Sequence, residues 1–252
     1  NKFMTSGDKV ISISKFIDDH IRFYFPECKN RLVQINRGID TNYFNLESVT
    51  QIRKEKFLSN LSISENTHII LLPGRISSWK GHETAIDAVA KINKKRPDLN
   101  FLMIFVGSAQ DRNKFLKKIE KKIRNLNIEN RISFCGHLTD MPAVYSTADI
   151  VISASIEPEA FGRIAVESQS MGKPIIASNI GGSKETILNK KTGFLYKHDD
   201  PRELAKCLNT VIQLNQEELK LMGNEGRKNV AKKFDVELMC DSNLREYKKL
   251  LK

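Results

Sequence analysis

From His68 onward, short runs dominated by apolar residues alternate with longer stretches in which apolar positions recur every three or four residues. The runs are His68–Pro73, Phe101–Val106, Arg131–Phe134, Asp149–Ser153, Pro174–Ser178 and Phe194–Tyr196. They have the length and apolar content of strands buried on both faces. The stretches between them carry helical spacing: His82–Arg96, Arg112–Leu126, Met141–Ala148, Ile164–Met171, Gly182–Leu188 and Pro201–Leu214, with Gln216–Phe234 and Val236–Leu251 closing the chain. Pro201 suits a first helical position, where its missing N–H costs nothing. Such alternation builds a parallel sheet covered on both faces, with right-handed crossovers. The fold class expected is therefore α/β, a Rossmann-like doubly wound parallel sheet of about six strands flanked by helices.

The pattern before His68 is weaker. Lys9–Ile13 and Leu32–Ile35 read as short strands, and Lys15–Phe25 as an amphipathic helix stopped by Pro26. Asn36–Asp40 is a turn in which Gly38 is free to take positive φ. Residues 41–66 are polar, with one helix expected at Ser48–Leu58. Three parts follow: 1–45, the end of a preceding domain and its linker; 46–234, the sheet domain; and 235–252, a C-terminal helix packing back toward the preceding domain. The start at Asn1 reads as a cut in a longer protein, and no internal repeat or low-complexity segment is visible.

Composition narrows the class without naming a function. With 252 residues, 40% hydrophobic and 28% charged, the chain is ordinary globular material with no apolar run near the ~20 residues of a membrane span. Cys28, Cys135, Cys207 and Cys240 have no metal or redox spacing and read as reduced thiols. The net charge is +11, from 41 Lys and Arg against 30 Asp and Glu. That excess fits an anionic membrane surface, nucleic acid or an acidic substrate, or simply a solvated basic face. Nucleic acid is disfavoured, because the lysines are spread over helix surfaces with no zinc-finger spacing or aromatic RNA-binding strand.

The candidate chemistry gathers where strand Asp149–Ser153 runs into Glu157–Gly172. Pro158 keeps Glu157 out of a helix, and Phe161-Gly162 turns the chain into the next one. Glu159 then sits in a loop at the carboxyl end of a strand, and Glu167 about one turn into a helix. The free N–H groups of Gly162, Arg163 and Ile164 make an anion site at that helix start. The loops Gly74–Gly81, Gly107–Gln110 and Cys135–Leu138 end other strands, and a parallel sheet gathers all of these on one edge. The first offers Arg75 and Lys80. Alone, these two are surface cations in a turn; beside two carboxylates and an anion site they can neutralise a diphosphate. Carboxylates accept from sugar hydroxyls, so the edge suits a phosphorylated, hydroxyl-rich ligand.

Gly74-Arg75 with Lys80-Gly81, Glu159-x-Phe161-Gly162 with Glu167 eight positions after Glu159, and Gly181-Gly182 together resemble the C-terminal donor-binding domain of the large retaining glycosyltransferase family 4, of GT-B fold. Asn36-x-Gly38-Ile39-Asp40 is similar to the family's linker motif, and Thr192–Leu195 to a later turn. Each motif is weak alone; their order and spacing are specific, and they cover essentially the whole chain. The resemblance implies a transfer of sugar from a UDP- or GDP-linked donor to a glycolipid or polysaccharide acceptor, without a metal or other cofactor. By position it gives Arg75 and Lys80 the donor diphosphate, Glu159 the donor sugar and Glu167 the ribose. Gly74, Gly107, Ala160, Phe161, Gly162, Arg163 and Ile164 would contact phosphates or line the pocket. His137 and Leu138 would lie by the base. For Arg163 a third cation on the diphosphate and a solvated side chain both stand; His137 reads first as a packed or exposed loop residue and second as a neighbour of the base. The implied partners are the nucleotide sugar, a glycan or lipid-linked acceptor and the protein's own N-terminal domain, in the cytoplasm or at the inner membrane face, for lipopolysaccharide or polysaccharide synthesis; the basic surface adds a peripheral contact with an anionic membrane. The fragment is expected to bind nucleotide weakly and to be inactive alone. Two other readings stand beside this: a nucleotide-sugar epimerase-like enzyme of the same fold, and a non-catalytic nucleotide-binding module.

Overall fold

The structure is a computed structural model that describes residues 2–59, 61, 63–64, 66–110 and 112–251. The outer limits of the expected divisions, residues 1 and 252, lie outside them. At the start, β1 (Val10–Ser12) and β2 (Leu32–Gln34) pair in parallel beside α1 (Lys15–Tyr24), and α2 (Gln51–Leu58) follows. The main sheet comprises β3 (His68–Pro73), β4 (Phe101–Val106), β5 (Ile132–Phe134), β6 (Ile150–Ser153), β7 (Ile175–Ser178) and β8 (Gly193–Tyr196). The helices between are α3 (His82–Lys95), α4 (Asn113–Asn125), α5 (Met141–Thr147), α6 (Arg163–Ser170), α7 (Ser183–Thr186) and α8 (Pro201–Ile212); α9 (Gln216–Lys233) and α10 (Val236–Leu250) close the chain.

The strand order is β5-β4-β3-β6-β7-β8, all parallel. The order reverses between β3 and β6, so the loops leaving them diverge and open a crevice at the carboxyl edge. The apolar runs conceal a period of two. Ile70, Leu72, Met103, Phe105, Ile150 and Ile152 join the core under α3, α4 and α8. Ile69, Leu71, Ile104, Val106, Val151 and Ile175 join the core under α5, α6 and α9. Burial on both faces is what keeps the central positions of these strands apolar.

Two expected helices differ from those observed. Ser48–Leu58 is split: Asn45 caps a short 3-10 turn at Leu46–Ser48, Val49 is extended and buried, and Thr50 caps α2 by accepting from Arg53 N–H. The stretch to Leu188 shortens to α7, because Ile187 turns extended to enter the core.

The N-terminal piece is fastened to the sheet domain at both ends. Ile39 pairs with Asp235, and Gly38 N–H donates to Met239 Sδ at 3.2 Å. Lys9 Nζ lies 3.8 Å from the Glu246 carboxylate on α10. Glu185 accepts from the N–H groups of Lys15 and Phe16 at 2.7 and 2.6 Å, capping α1 from the other part.

Two glycines set the crevice. Gly81, at φ +71°, begins α3 so close to β6 that an added Cβ would stand 1.8 Å from the Ala154 carbonyl oxygen. Gly182 packs on the Glu159 loop, where a Cβ would meet the Phe161 backbone at 2.5 Å, and its N–H donates to Glu159 O at 2.8 Å. Gly81→Ala is expected to destabilise the fold by about 3 kcal/mol or more, through backbone strain and a clash that only backbone movement relieves. Urea unfolding of the variant measures it.

Candidate functional site

At the carboxyl edge a cavity of about 320 Å³ opens between the ends of β3 and β4, the 135–140 loop and the first turn of α6. Of the residues expected there, Gly74, Arg75, Gly107, His137, Leu138, Arg163, Ile164 and Glu167 line it. Lys80, Glu159, Ala160, Phe161 and Gly162 do not. Lys80 runs behind Gly74, where a Cβ on that glycine would stand 3.6 Å from Lys80 Cδ. Phe161 turns its side chain into the core, its ring 5.7 Å from that of Phe234. Ala160 is exposed, and its carbonyl accepts from Ser14 Oγ.

The two carboxylates are held differently. Glu159 Oε1 takes the Lys80 ammonium at 2.7 Å and accepts from Ser155 Oγ. Both members of that ion pair are only 12% exposed. The Lys80 ammonium also lies 4.2 Å from the Trp79 ring centroid. Glu167 is buried on α6: Tyr145 Oη donates to its Oε2 at 2.8 Å, and Arg163 Nε to its Oε1 at 2.6 Å. Burial, then the charge of Glu167 and the bond to it, push the Tyr145 phenol well above its ordinary range, so it remains a donor. At the start of α6, Gly162 takes φ +88° and supplies no side-chain cap, and the N–H groups of Arg163 and Ile164 lie in the first turn, without intrahelical acceptors.

The 135–140 loop is anchored from outside. Arg53 on α2 grips Asp140 through Nε at 2.8 Å and Nη2 at 2.5 Å, while Asp140 caps α5 by accepting from Ala143 N–H at 3.2 Å. Among the described residues no group of three or more His, Cys, Asp and Glu is placed to hold a metal ion. Two pairs of adjacent acids, Asp18-Asp19 and Asp199-Asp200, serve the frame: Asp200 caps α8, Asp199 accepts from Thr84, Asp18 pairs with Arg22 and Asp19 with Lys15.

Residue-by-residue reading of the sequence missed Tyr145 and Ser155, together with the lining residues Ser108, Gln110 and Met141. Tyr145 occupies an apolar-spaced position of α5 and reads as core. The available signal is chemical: a buried tyrosine hydroxyl requires an acceptor.

His82 opens α3 fully buried, its Nδ1 3.2 Å from the Ser77 carbonyl and its Nε2 without a partner among the described residues. Burial, with Lys80 nearby, lowers its pKa to about 4. As pH falls below about 6.5 the unfolded chain takes up this proton and the native state does not. Stability should therefore decline by about 3 kcal/mol between pH 6.5 and 4. Urea unfolding across that window measures the decline, and His82→Phe should flatten it.

The comparisons agree with this architecture. Residues 53–229 match the family model described as Glycosyl transferases group 1. The chain is 24% identical over 248 residues, 96% of its length, to 65% of spore coat protein SA from Bacillus subtilis. It is 29% identical over 203 residues, 79% of its length, to 47% of D-inositol 3-phosphate glycosyltransferase from Corynebacterium glutamicum. It thus spans about half to two thirds of the length of these relatives. A glycosyltransferase crystal structure from Rickettsia africae superposes with a TM-score of 0.93 at 34% identity, covering 100% of this chain and 66% of that one. Anabaena HepE in complex with UDP and glucose gives 0.84 at 26%, covering 96% and 63%. The fold is the α/β half-fold of the GT-B glycosyltransferases, a parallel sheet with its ligand crevice at the carboxyl edge. The chain belongs to the group 1 glycosyl transferases.

Proposed function

We propose that this chain is the donor-binding part of a retaining family 4 glycosyltransferase. It takes a nucleoside-diphosphate sugar, UDP- or GDP-linked, for transfer to a glycolipid or polysaccharide acceptor. The observation that carries the reading is the convergence of Arg75, Arg163, Glu167 and the open start of α6 on one cavity, with Lys80, paired to Glu159, beside the lining residue Gly74. The complex of the Anabaena relative with UDP and glucose supports the donor class. In this reading Glu167 accepts from ribose hydroxyls, and the α6 N–H groups, Arg75 and Lys80 hold the diphosphate. Glu159 faces the sugar, and His137 and Leu138 border the base.

The chemistry follows from charge. As the bond between the anomeric carbon and the diphosphate breaks, both electrons leave with the phosphate oxygen and positive charge grows on the sugar ring. Cations fixed at the diphosphate stabilise that separation more than the ground state. No metal enters this reading. The acceptor site lies in a preceding domain, so the 252-residue chain binds donor weakly and does not turn over alone. A thermal-shift and calorimetric screen of the chain against UDP, GDP, ADP and their sugars tests the reading, because a ligand bound only by the native state raises its melting temperature. No shift with any of them would defeat it.

The site of action we infer is the cytoplasmic face of a membrane. Helices α3, α4 and α8 carry eleven Lys and Arg against four Asp and Glu, a net +7 of the chain's +11, on one layer of the fold. Lys114, Lys117, Lys121 and Arg124 form an exposed stripe on α4. Each such cation near an anionic bilayer contributes about 1 kcal/mol. The chain should co-sediment with phosphatidylglycerol vesicles but not phosphatidylcholine ones and be released at about 0.5 M salt. Lys114→Glu/Lys117→Glu/Lys121→Glu should abolish the binding. Equal binding to neutral vesicles would rule this contact out. Among the described residues no helix is long and apolar enough to cross a membrane.

A further inference from the structure

The two groups bonded to Glu167 differ in whether they can leave. Tyr145 is fully buried, and among the described residues its hydroxyl donates to Glu167 alone. Arg163 holds the other carboxylate oxygen through Nε, yet its side chain is 64% exposed, and its two Nη groups have no partner among the described residues. Arg163 is also the first residue of α6, the helix whose opening N–H groups are free. An anion bound at those groups therefore lies within reach of its guanidinium, whose planar array of donors suits a phosphate.

We propose that Arg163 is a place-holder. In the empty site it occupies the Glu167 oxygen that a ribose hydroxyl takes. When a nucleoside diphosphate enters, Arg163 gives up that oxygen and turns onto the diphosphate, while Tyr145 keeps the carboxylate in its rotamer throughout. This inference rests on the donor-site reading above. It explains why a buried carboxylate has a solvent-exposed cation as its second partner: the exchange leaves neither charge unpaired, since the carboxylate passes from guanidinium to hydroxyls and the guanidinium passes to phosphate. It also makes phosphate a condition of tight binding. A bare nucleoside must displace Arg163 and offers it nothing, whereas a nucleoside diphosphate offers it a stronger partner. Arg163 is then a specificity-determining residue, and Tyr145 a positioning residue for Glu167.

The test measures Kd on the 252-residue chain for uridine and UDP, guanosine and GDP, and adenosine and ADP, using the pair that wild type binds best. In Arg163→Ala the nucleoside should bind about two-fold tighter, because a largely solvent-exposed arginine pairing one helical turn away contributes little. The diphosphate should bind at least about ten-fold more weakly, because a charge-assisted bond to phosphate is lost. These opposite signs are the signature. Arg163→Lys should lie between. Tyr145→Phe keeps the packing; it should weaken nucleoside and diphosphate alike and reduce the preference for the ribonucleotide over its 2′-deoxy analogue. If Arg163→Ala weakens both ligands equally, Arg163 is a fixed part of the ribose clamp and the inference fails. If it changes neither, the inference fails too. If wild type binds no nucleoside diphosphate at all, the donor-site reading falls and takes this inference with it.

Discussion

In the full-length enzyme, Lys80→Ala is expected to lower turnover by about 10²–10³-fold, the typical effect of removing one group that stabilises charge developing in a transition state. The structure adds a second expectation. Lys80 is paired with Glu159, and both are only 12% exposed. Removing the lysine leaves a nearly buried carboxylate with Ser155 as its remaining side-chain partner among the described residues. Breaking such a pair costs about 3–5 kcal/mol. Lys80→Ala should therefore lose stability as well as rate. The two losses separate when the double variant Lys80→Ala/Glu159→Gln, which removes the unpaired charge, is measured against Glu159→Gln alone. The double variant's melting temperature should return toward wild type while its turnover stays below that of Glu159→Gln. Recovery of turnover along with stability would mean that Lys80 acts on the fold and not on the diphosphate.

Glu167→Ala should weaken binding of nucleoside diphosphates by at least about 10-fold, and by about 100-fold or more where two ribose hydroxyls lose their bond, since hydrogen bonds to a charged acceptor contribute about 1.5–3 kcal/mol each. Truncation also strips Tyr145 and Arg163 of their acceptor. Glu167→Gln is the cleaner variant: it keeps the volume and lets the amide meet the Tyr145 hydroxyl, while removing the charge that attracts Arg163. Calorimetry should show weaker ribonucleotide binding in both variants, with little preference left over the 2′-deoxy analogue. Unchanged affinity would remove Glu167 from the ribose.

Gly74 and Gly107 line the cavity, whereas the Glu159 loop does not; it is closed against Gly182 and tied to the N-terminal piece by the bond from Ser14 Oγ to Ala160 O. Substitutions at Gly182 are therefore expected to act through the position of Glu159, although Gly182 does not line this cavity.

Much of this was legible along the chain. Strand runs and helical spacing are local properties, so the six strands, their parallel arrangement and the edge on which Arg75, Glu159 and Glu167 gather could be read without coordinates. The exceptions are also physical. Asn45 and Thr50 both cap, and two caps five residues apart divide a stretch that hydrophobic spacing alone leaves whole. Ile187 obeys the core and not its helix propensity, which shortens α7.

The sequence by itself determined the architecture and the short set of polar residues at the sheet edge, because alternation, glycine turns and the residue before proline act over a few residues. The tertiary structure alone decided the pairings: Lys80 with Glu159 across 79 positions, Tyr145 with Glu167 across 22, and the strand order that brings β3 beside β6. A hydrogen bond needs atoms within about 3 Å, and which side chains come that close is fixed only when separate elements pack.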